Sequence, residues 1–320
     1  MSKLEKAFTE ASSLSRGDFR LVVTSDDRRG GARMSGAMTG RGYWTRLPVI
    51  VRAILTGIVI GLVAANVWPI LLLKLGMPLA AAAEVIFLGI YIWWVSGGGP
   101  PRSWNASRSD SFRTGVLSPS QWAWGLIAAV FFAATVHAAI VVLFRLVPFP
   151  AAAFHQGYDF SGIPSPQMQW LAILVSAASA GICEETGFRG YMQRPIEKRH
   201  GAVVAILISS LFFTLLHLNK GWSTAGMVPI VFGAGLLLGI LAWASGSLIP
   251  GIVGHTVMDV GLFGYWWSQI AGTFSERPVS ETGMDQRFYV EASALLITLI
   301  VTLTAIVRLR RLQASVVLRK

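Results

Sequence analysis

The amino-acid sequence predicts an all-α fold, a polytopic transmembrane helical bundle with about eight spans. Hydrophobic residues make up 53% of the 320 residues and charged residues only 13%. Apolar runs close to the length that crosses a bilayer recur along the chain. Because lipid cannot satisfy free backbone N–H and C=O groups, helices are the expected spanning element. The candidate spans are residues 49–73, 79–95, 122–147, 169–181, 202–218, 228–244, 252–270 and 290–307, of which the second, fourth and sixth are short or interrupted.

The bundle is predicted to occupy residues 48–310, between a basic N-terminal arm (1–47) and a basic tail (311–320). The arm is rich in Ser, Gly, Arg and Asp, so we expect its first ~40 residues to be disordered. It does not have the pattern of a cleavable signal peptide. Within the bundle, "GIVIG" and "GLLLG" have the small-xxx-small spacing that favours close helix packing.

The formal net charge of +11 is concentrated at the two ends of the chain. Lysine and arginine accumulate in cytoplasmic loops, so both termini are predicted to be cytoplasmic, which requires an even number of spans. The loop after the second span carries Arg102, Arg108 and Arg113, whereas the loop after the third has no Lys or Arg. We interpret the basic termini as topology signals and contacts for anionic lipids, and we expect no nucleic-acid partner.

Ionisable side chains inside apolar spans are costly unless they are paired or hydrated, so each is a functional candidate. Arg145 lies near a span end and is expected to extend towards the interface. Glu84 and His137 stand alone in their helices and are interpreted as structural hydrogen-bonding groups. The remaining candidates are Glu184, Glu185, Arg189, His217, His255 and Asp259.

These six residues form three local patterns. In "EETGFR", Glu185 and Arg189 are one helical turn apart, in the order that favours an ion pair. Glu184 lies about 100° around the helix from Glu185, so it is the candidate general base. In "FTLLHL" and "HTVMD", His217 shares a face with a phenylalanine and His255 shares a face with Asp259.

The residue types allow two kinds of site. One Glu, two His and one Asp from three helices could activate a water, or Glu184, His217 and His255 could bind Zn²⁺. The His-Glu-x-x-His spacing of a strong zinc motif is absent. Cys183 is the only cysteine, which excludes an intramolecular disulfide, and we expect it to be buried and unreactive.

Depth in the membrane decides whether these residues can meet. Gly201 offers a helix stop midway between Glu184 and His217, so both would be level if the fourth helix continues through the charged stretch, with a kink at Pro195. A seventh helix that begins at 252 would place His255 nearer the cytoplasm than His217. Either that helix starts earlier or the fifth helix extends beyond the membrane.

Three stretches, "EETGFRGYM", "ISSLFFTLLHL" and "SGSLIPGIVGHTVMD", resemble the signature motifs of the CPBP family, the CAAX protease and bacteriocin-processing (Abi) enzymes. The resemblance covers about residues 167–261. Members include the Ras-converting CAAX endopeptidases and many bacterial membrane proteins. Asp259 stands where the CAAX endopeptidases carry Asn, and an ionised Asp is a poor oxyanion donor. Its role therefore depends on whether it is protonated or instead orients His255.

The resemblance implies an intramembrane endopeptidase in which Glu184 activates a water, with His217 assisting. His255 and Asp259 would stabilise or position the oxyanion, while Glu185 and Arg189 would support them. No cofactor is required in the preferred interpretation, and Zn²⁺ is the alternative.

The implied substrate is a membrane-associated or lipid-modified protein or peptide, and the implied location is a bacterial plasma membrane. The alternatives are a non-catalytic scaffold or bacteriocin-immunity-type factor on the same fold, and a proton-coupled transporter that uses Glu84, His137 and Glu184.

Overall fold

The structure is a computed structural model that describes residues 44, 46–113, 115–155, 160, 162–163, 165–218 and 226–317. Nearly all of the predicted N-terminal arm and the end of the predicted tail lie outside these residues. The described chain is helical and contains no strand, which confirms the all-α prediction. The α-helices are α1 (Val49–Ala65), α2 (Val67–Leu75), α3 (Leu79–Val95), α4 (Asn105–Phe112), α5 (Pro119–Leu146), α6 (Ala151–His155), α7 (Pro166–Glu185), α8 (Gln193–His200), α9 (Ala202–His217), α10 (Met227–Ser245), α11 (Ile249–Gly261), α12 (Val279–Thr282) and α13 (Gln286–Val317).

Several of these helices have the length and apolar composition of membrane spans. Among the described residues, five segments qualify: Val49–Leu75, Pro119–Leu146, Pro166–His200, Met227–Ser245 and Gln286–Ser315. The helices α3 and α9 are apolar but shorter. The chain is therefore an integral membrane protein, and the count of eight spans stays a prediction.

The fourth predicted span is a helix that runs on through its charged residues. It consists of α7, a first π-helical segment (Thr186–Met192) and α8, without a break from Pro166 to His200. The irregular turn thus precedes Pro195, where the kink was predicted. A π segment takes in an extra residue and is frequent at functional sites. Gly201 then ends the helix with φ +86°, a backbone conformation that favours glycine.

The other helices pack around this long helix and around α5. Helix α1 lies along the first π segment, α11 packs against both α7 and α5, and α9 packs against α10. Helix α13 lies along α5. A second π segment (Leu262–Trp267) continues α11. The long helix is therefore enclosed by neighbours along "EETGFR", whereas its charged end at residues 198–200 is exposed.

Glycines bring α1 close to the first π segment. A Cβ on Gly57 would lie 2.6 Å from the Met192 Cβ and 2.7 Å from the Gly187 carbonyl oxygen. A Cβ on Gly187 would lie 2.6 Å from the Gly61 Cα. Real Cβ atoms do not tolerate such distances, so the "GIVIG" pattern allows direct backbone contact between the two helices.

Arg145 lies in the last turn of α5 and is bound by carboxylates inside the protein, whereas the sequence predicted a side chain that extends towards the interface. Its side chain is buried, with Nη2 2.9 Å from an Asp285 carboxylate oxygen and Nη1 3.3 Å from Glu291 and 3.7 Å from Glu276. The Phe288 N–H and the Arg145 guanidinium hold the pKa of Asp285 below its ordinary value. The segment before α13 supplies carboxylates that neutralise the arginine, so burial is less costly than extension to water.

Two of the three arginines in the loop after α3 are also buried. Arg102 is exposed, whereas Arg108 and Arg113 are almost fully enclosed. Arg108 donates to the carbonyl oxygens of Gly98 and Gly99 at 2.8 and 2.9 Å. These side chains therefore bind backbone groups inside the fold, in addition to contributing to the charge bias from which the topology was predicted.

We predict that Gly57→Ala destabilises the bundle by about 1–3 kcal/mol, because the added methyl group would overlap the backbone of the first π segment. Thermal unfolding in detergent measures the change. Gly89→Ala, also within an apolar helix, is the matched control because nothing lies within 4 Å of its added Cβ. Alanine there favours the helix. Equal melting temperatures for the two variants would contradict the packing argument.

Candidate active site

Glu184 and His217 meet, as the depth argument required. Glu184 lies in the last turn of α7 and His217 is the last residue of α9. A Glu184 carboxylate oxygen lies 3.5 Å from Nε2 of His217. The charged stretch between them had to be helical for this contact to form, and it is.

The second ring nitrogen of His217 has a fixed partner. Nδ1 lies 2.7 Å from the Phe213 carbonyl oxygen, which can only accept, so Nδ1 is the donor. The imidazole also lies against the Phe213 ring, with 4.3 Å between centroids. Nε2 is therefore the nitrogen that can take up or release a proton on the side facing Glu184.

Glu185 joins two motifs through one carboxylate oxygen. Oε1 accepts from Nη1 of Arg189 at 2.8 Å, the pair that helical spacing predicts, and from Nδ1 of His255 at 2.9 Å. All three residues are almost completely buried. The bond to His255 was not predicted, because no local pattern connects residues 70 positions apart.

Arg189 is held by groups from three parts of the bundle. Besides its bond to Glu185, Nη2 donates to the Gly235 carbonyl oxygen of α10 at 3.2 Å. Its guanidinium carbon lies 4.4 Å from the centre of the Phe213 ring of α9, a cation–π distance. These contacts explain how a buried arginine is accommodated, since its charge is balanced and both terminal nitrogens donate to fixed acceptors.

His255 lies between two carboxylates. Its Nδ1 faces Glu185, and its Nε2 lies 3.6 Å from an Asp259 carboxylate oxygen one turn along α11. Helix α11 begins at Ile249, earlier than predicted, and the structure brings His255 and His217 to the same phenylalanine. Phe213 touches both histidine rings, with 5.8 Å between its centroid and that of His255.

Four of the predicted residues line one small cavity of about 40 Å³. Their polar groups face apolar side chains from α5, α10, α11 and the second π segment. The lining residues include Glu184, His217, His255, Asp259, Val136, Ile230, Val231, Leu262, Phe263 and Trp267. Glu185 and Arg189 stand behind this wall. A cavity of this size has room for water beside the carboxylates and the histidines.

The other intramembrane candidates make structural hydrogen bonds. Glu84 is fully buried and accepts from the Ser179 hydroxyl at 2.7 Å. The Trp266 Nε1–H donates to Nδ1 of His137 at 3.2 Å, so Nε2 donates to the Met258 carbonyl oxygen at 3.1 Å. Cys183 is a fully buried free thiol. Each matches the structural interpretation drawn from its sequence context.

The zinc alternative requires Glu184, His217 and His255 to converge on one point. Within the described part of the chain, no three His, Cys, Asp or Glu side chains form a group that could hold a metal ion. We therefore derive no chemical step through a metal.

We predict that Arg189→Met lowers the free energy of unfolding by about 3–5 kcal/mol, because it leaves the Glu185 charge buried without its ion pair. Arg194→Met is the matched control on the same long helix. The Arg194 side chain is 30% exposed in its pairs with Asp110 and Glu197, so its loss should cost about 1 kcal/mol or less. Unfolding in detergent measures both. If both variants lose the same free energy of unfolding, the buried ion pair contributes no more to stability than the partly exposed pairs of Arg194.

Residues 166–261 match the family model described as type II CAAX prenyl endopeptidase Rce1-like. The matched stretch contains "EETGFR", "FTLLHL" and "HTVMD". These motifs include all six candidate residues of the site. No curated protein and no solved structure matches the chain.

Proposed function

We propose that the chain belongs to the CPBP/CAAX protease family, whose model matches residues 166–261, and that it is an intramembrane endopeptidase that uses a glutamate-activated water. The observation that carries this proposal is the contact between Glu184 and Nε2 of His217 at the wall of a largely apolar cavity. A carboxylate beside a histidine whose other nitrogen is fixed can accept, hold and return a proton. Peptide hydrolysis needs those three operations.

In the proposed reaction, the Glu184 carboxylate takes a proton from a water whose oxygen bonds to the peptide carbonyl carbon. The carbonyl becomes a tetrahedral oxyanion. When the C–N bond breaks, the proton passes to the leaving amine, directly or through Nε2 of His217. No covalent enzyme intermediate forms, and no electrons are exchanged with a cofactor.

His255 lines the cavity and is proposed to stabilise the oxyanion through Nε2. Nδ1 donates to Glu185, so Nε2 carries a hydrogen only when the ring is an imidazolium. Carboxylates on both sides of the ring favour that form. Asp259 would then orient and neutralise His255, and the oxyanion would not depend on an aspartate as donor.

The charge balance supports Glu184 as the base. With His255 protonated, the two positive groups Arg189 and His255 offset the carboxylates of Glu185 and Asp259. Glu184 then supplies the remaining negative charge of the cluster. Glu185 and Arg189 are proposed as supporting residues, since they hold His255 and stand outside the cavity wall.

The family description points to a prenylated, membrane-associated protein as the substrate class. We propose that a membrane-associated or lipid-modified chain binds beside the cavity and presents its peptide bond there, since the side chains that line the cavity are largely apolar. We also propose that both termini face the cytoplasm of a bacterial cell and that the basic ends contact anionic lipids.

We predict that Glu184→Gln lowers the rate of cleavage of a farnesylated peptide in proteoliposomes by about 10²- to 10⁴-fold, because the neutral amide cannot take the proton of water. The control is Glu84→Gln, which changes another buried glutamate, one bonded to Ser179, and should cleave normally. Retained cleavage by Glu184→Gln would refute the assignment of the base.

The scaffold and transporter alternatives predict different behaviour of the same variant. A scaffold would keep its biological activity with Glu184→Gln, and the termini of membrane proteins in cells would not change. A protease would leave substrates uncut, which quantitative proteomics of protein termini detects. Proton-coupled flux in proteoliposomes would instead favour the transporter.

We expect a chelator such as 1,10-phenanthroline to leave the cleavage rate unchanged, because the site donors are not grouped for a metal ion. Cleavage of the farnesylated peptide before and after chelation measures this. A loss of activity that added Zn²⁺ restores would establish the metal-dependent alternative.

A further inference from the structure

The first π segment receives a side chain from outside the family-matched stretch. Arg113 follows α4, in the loop between α3 and α5, and its side chain is 1% exposed. Nε donates to the Arg189 carbonyl oxygen at 3.2 Å. Nη2 binds a Glu197 carboxylate oxygen at 2.6 Å, and Nη1 lies 3.4 Å from the Ala242 carbonyl oxygen. One guanidinium therefore connects the π segment with α8 and α10.

The contact with Arg189 falls where the helical hydrogen bonding is irregular. In a regular α-helix the Gln193 N–H would donate to the carbonyl oxygen of Arg189, four residues earlier. Here it donates to the carbonyl oxygens of Phe188 and Gly190 instead. The Gln193 N–H therefore does not bind the Arg189 carbonyl oxygen, and the Arg113 Nε–H donates to that oxygen instead.

The local backbone is shaped to deliver Arg113 to this place. Arg113 has φ 53° and ψ 60°, a left-handed conformation that non-glycine residues adopt only when their surroundings hold them there. The preceding turn packs directly on the π segment, since a Cβ on Gly190 would lie 2.9 Å from the Ser111 carbonyl oxygen.

We propose that Arg113 is a positioning residue for the active site, acting through the backbone of Arg189. The Arg189 side chain binds Glu185, and Glu185 binds Nδ1 of His255. A shift of the Arg189 carbonyl would therefore move the acceptor that orients His255. The catalytic part of this inference rests on the proposed endopeptidase function, whereas its structural part does not.

Two variants separate the carbonyl contact from the ion pair. Arg113→Met removes both. Glu197→Gln removes the charge that faces Arg113 but leaves its Nε–H bond to Arg189. We expect kcat for the farnesylated peptide to fall on the order of 10- to 100-fold in Arg113→Met, with KM changed less than about threefold. Glu197→Gln should stay within about threefold of the wild type in both constants.

A second readout does not depend on activity. In protein labelled with ¹⁵N-histidine, the His255 ring signals, assigned with His255→Gln, should shift in Arg113→Met and keep their positions in Glu197→Gln. A purely stabilising role would lower the melting temperature without moving these signals. If the wild type cleaves no peptide, the proposed function fails, and the histidine spectra alone decide the positioning role.

If Arg113→Met does not fold, Arg113→Lys replaces it. Lysine keeps the positive charge beside Glu197, but a single ammonium cannot reproduce the divergent donors of the guanidinium. We expect the same fall in kcat and the same shift of the His255 signals. Wild-type kcat and unchanged His255 signals in either Arg113 variant would overturn the proposal, as would equal effects of Glu197→Gln.

Discussion

The buried carboxylate of Glu185 is the group on which the rest of the site depends. One of its oxygens accepts from both Arg189 and His255, where water cannot replace either partner. In such surroundings, removal of one member of an ionic network leaves an uncompensated charge. The network thereby connects α7, the first π segment and α11, and it fixes Nδ1 of His255, a residue that lines the cavity.

The first π segment places this network within a continuous helix. On the side that faces α1, glycines bring the two backbones into contact and leave no room for an added Cβ. On another side, Arg113 donates a hydrogen bond to the Arg189 carbonyl oxygen. Both constraints come from parts of the chain before residue 166, outside the stretch that carries the family motifs. The N-terminal spans and the loop after α3 therefore contribute to the geometry of the motif helix.

The cavity combines two environments that suit hydrolysis beside lipid. Glu184 and His217 supply proton transfer at one wall, and side chains such as Ile230 and Trp267 supply apolar surface. A polar site enclosed by apolar residues strengthens electrostatic interactions with a developing oxyanion. The apolar side chains beside it would suit the apolar or lipid-modified substrate that we propose.

The sequence by itself determined the all-α class, the helix stop at Gly201 and the same-face pairs, such as Glu185 with Arg189 and His255 with Asp259. These features follow from composition and helical periodicity, which are local. Only the tertiary structure decided that Glu185 binds His255, that Arg145 is buried among carboxylates and that Arg113 reaches the π segment. Such contacts depend on the rotation and relative depth of helices far apart in the chain, and these are set by packing of the whole bundle.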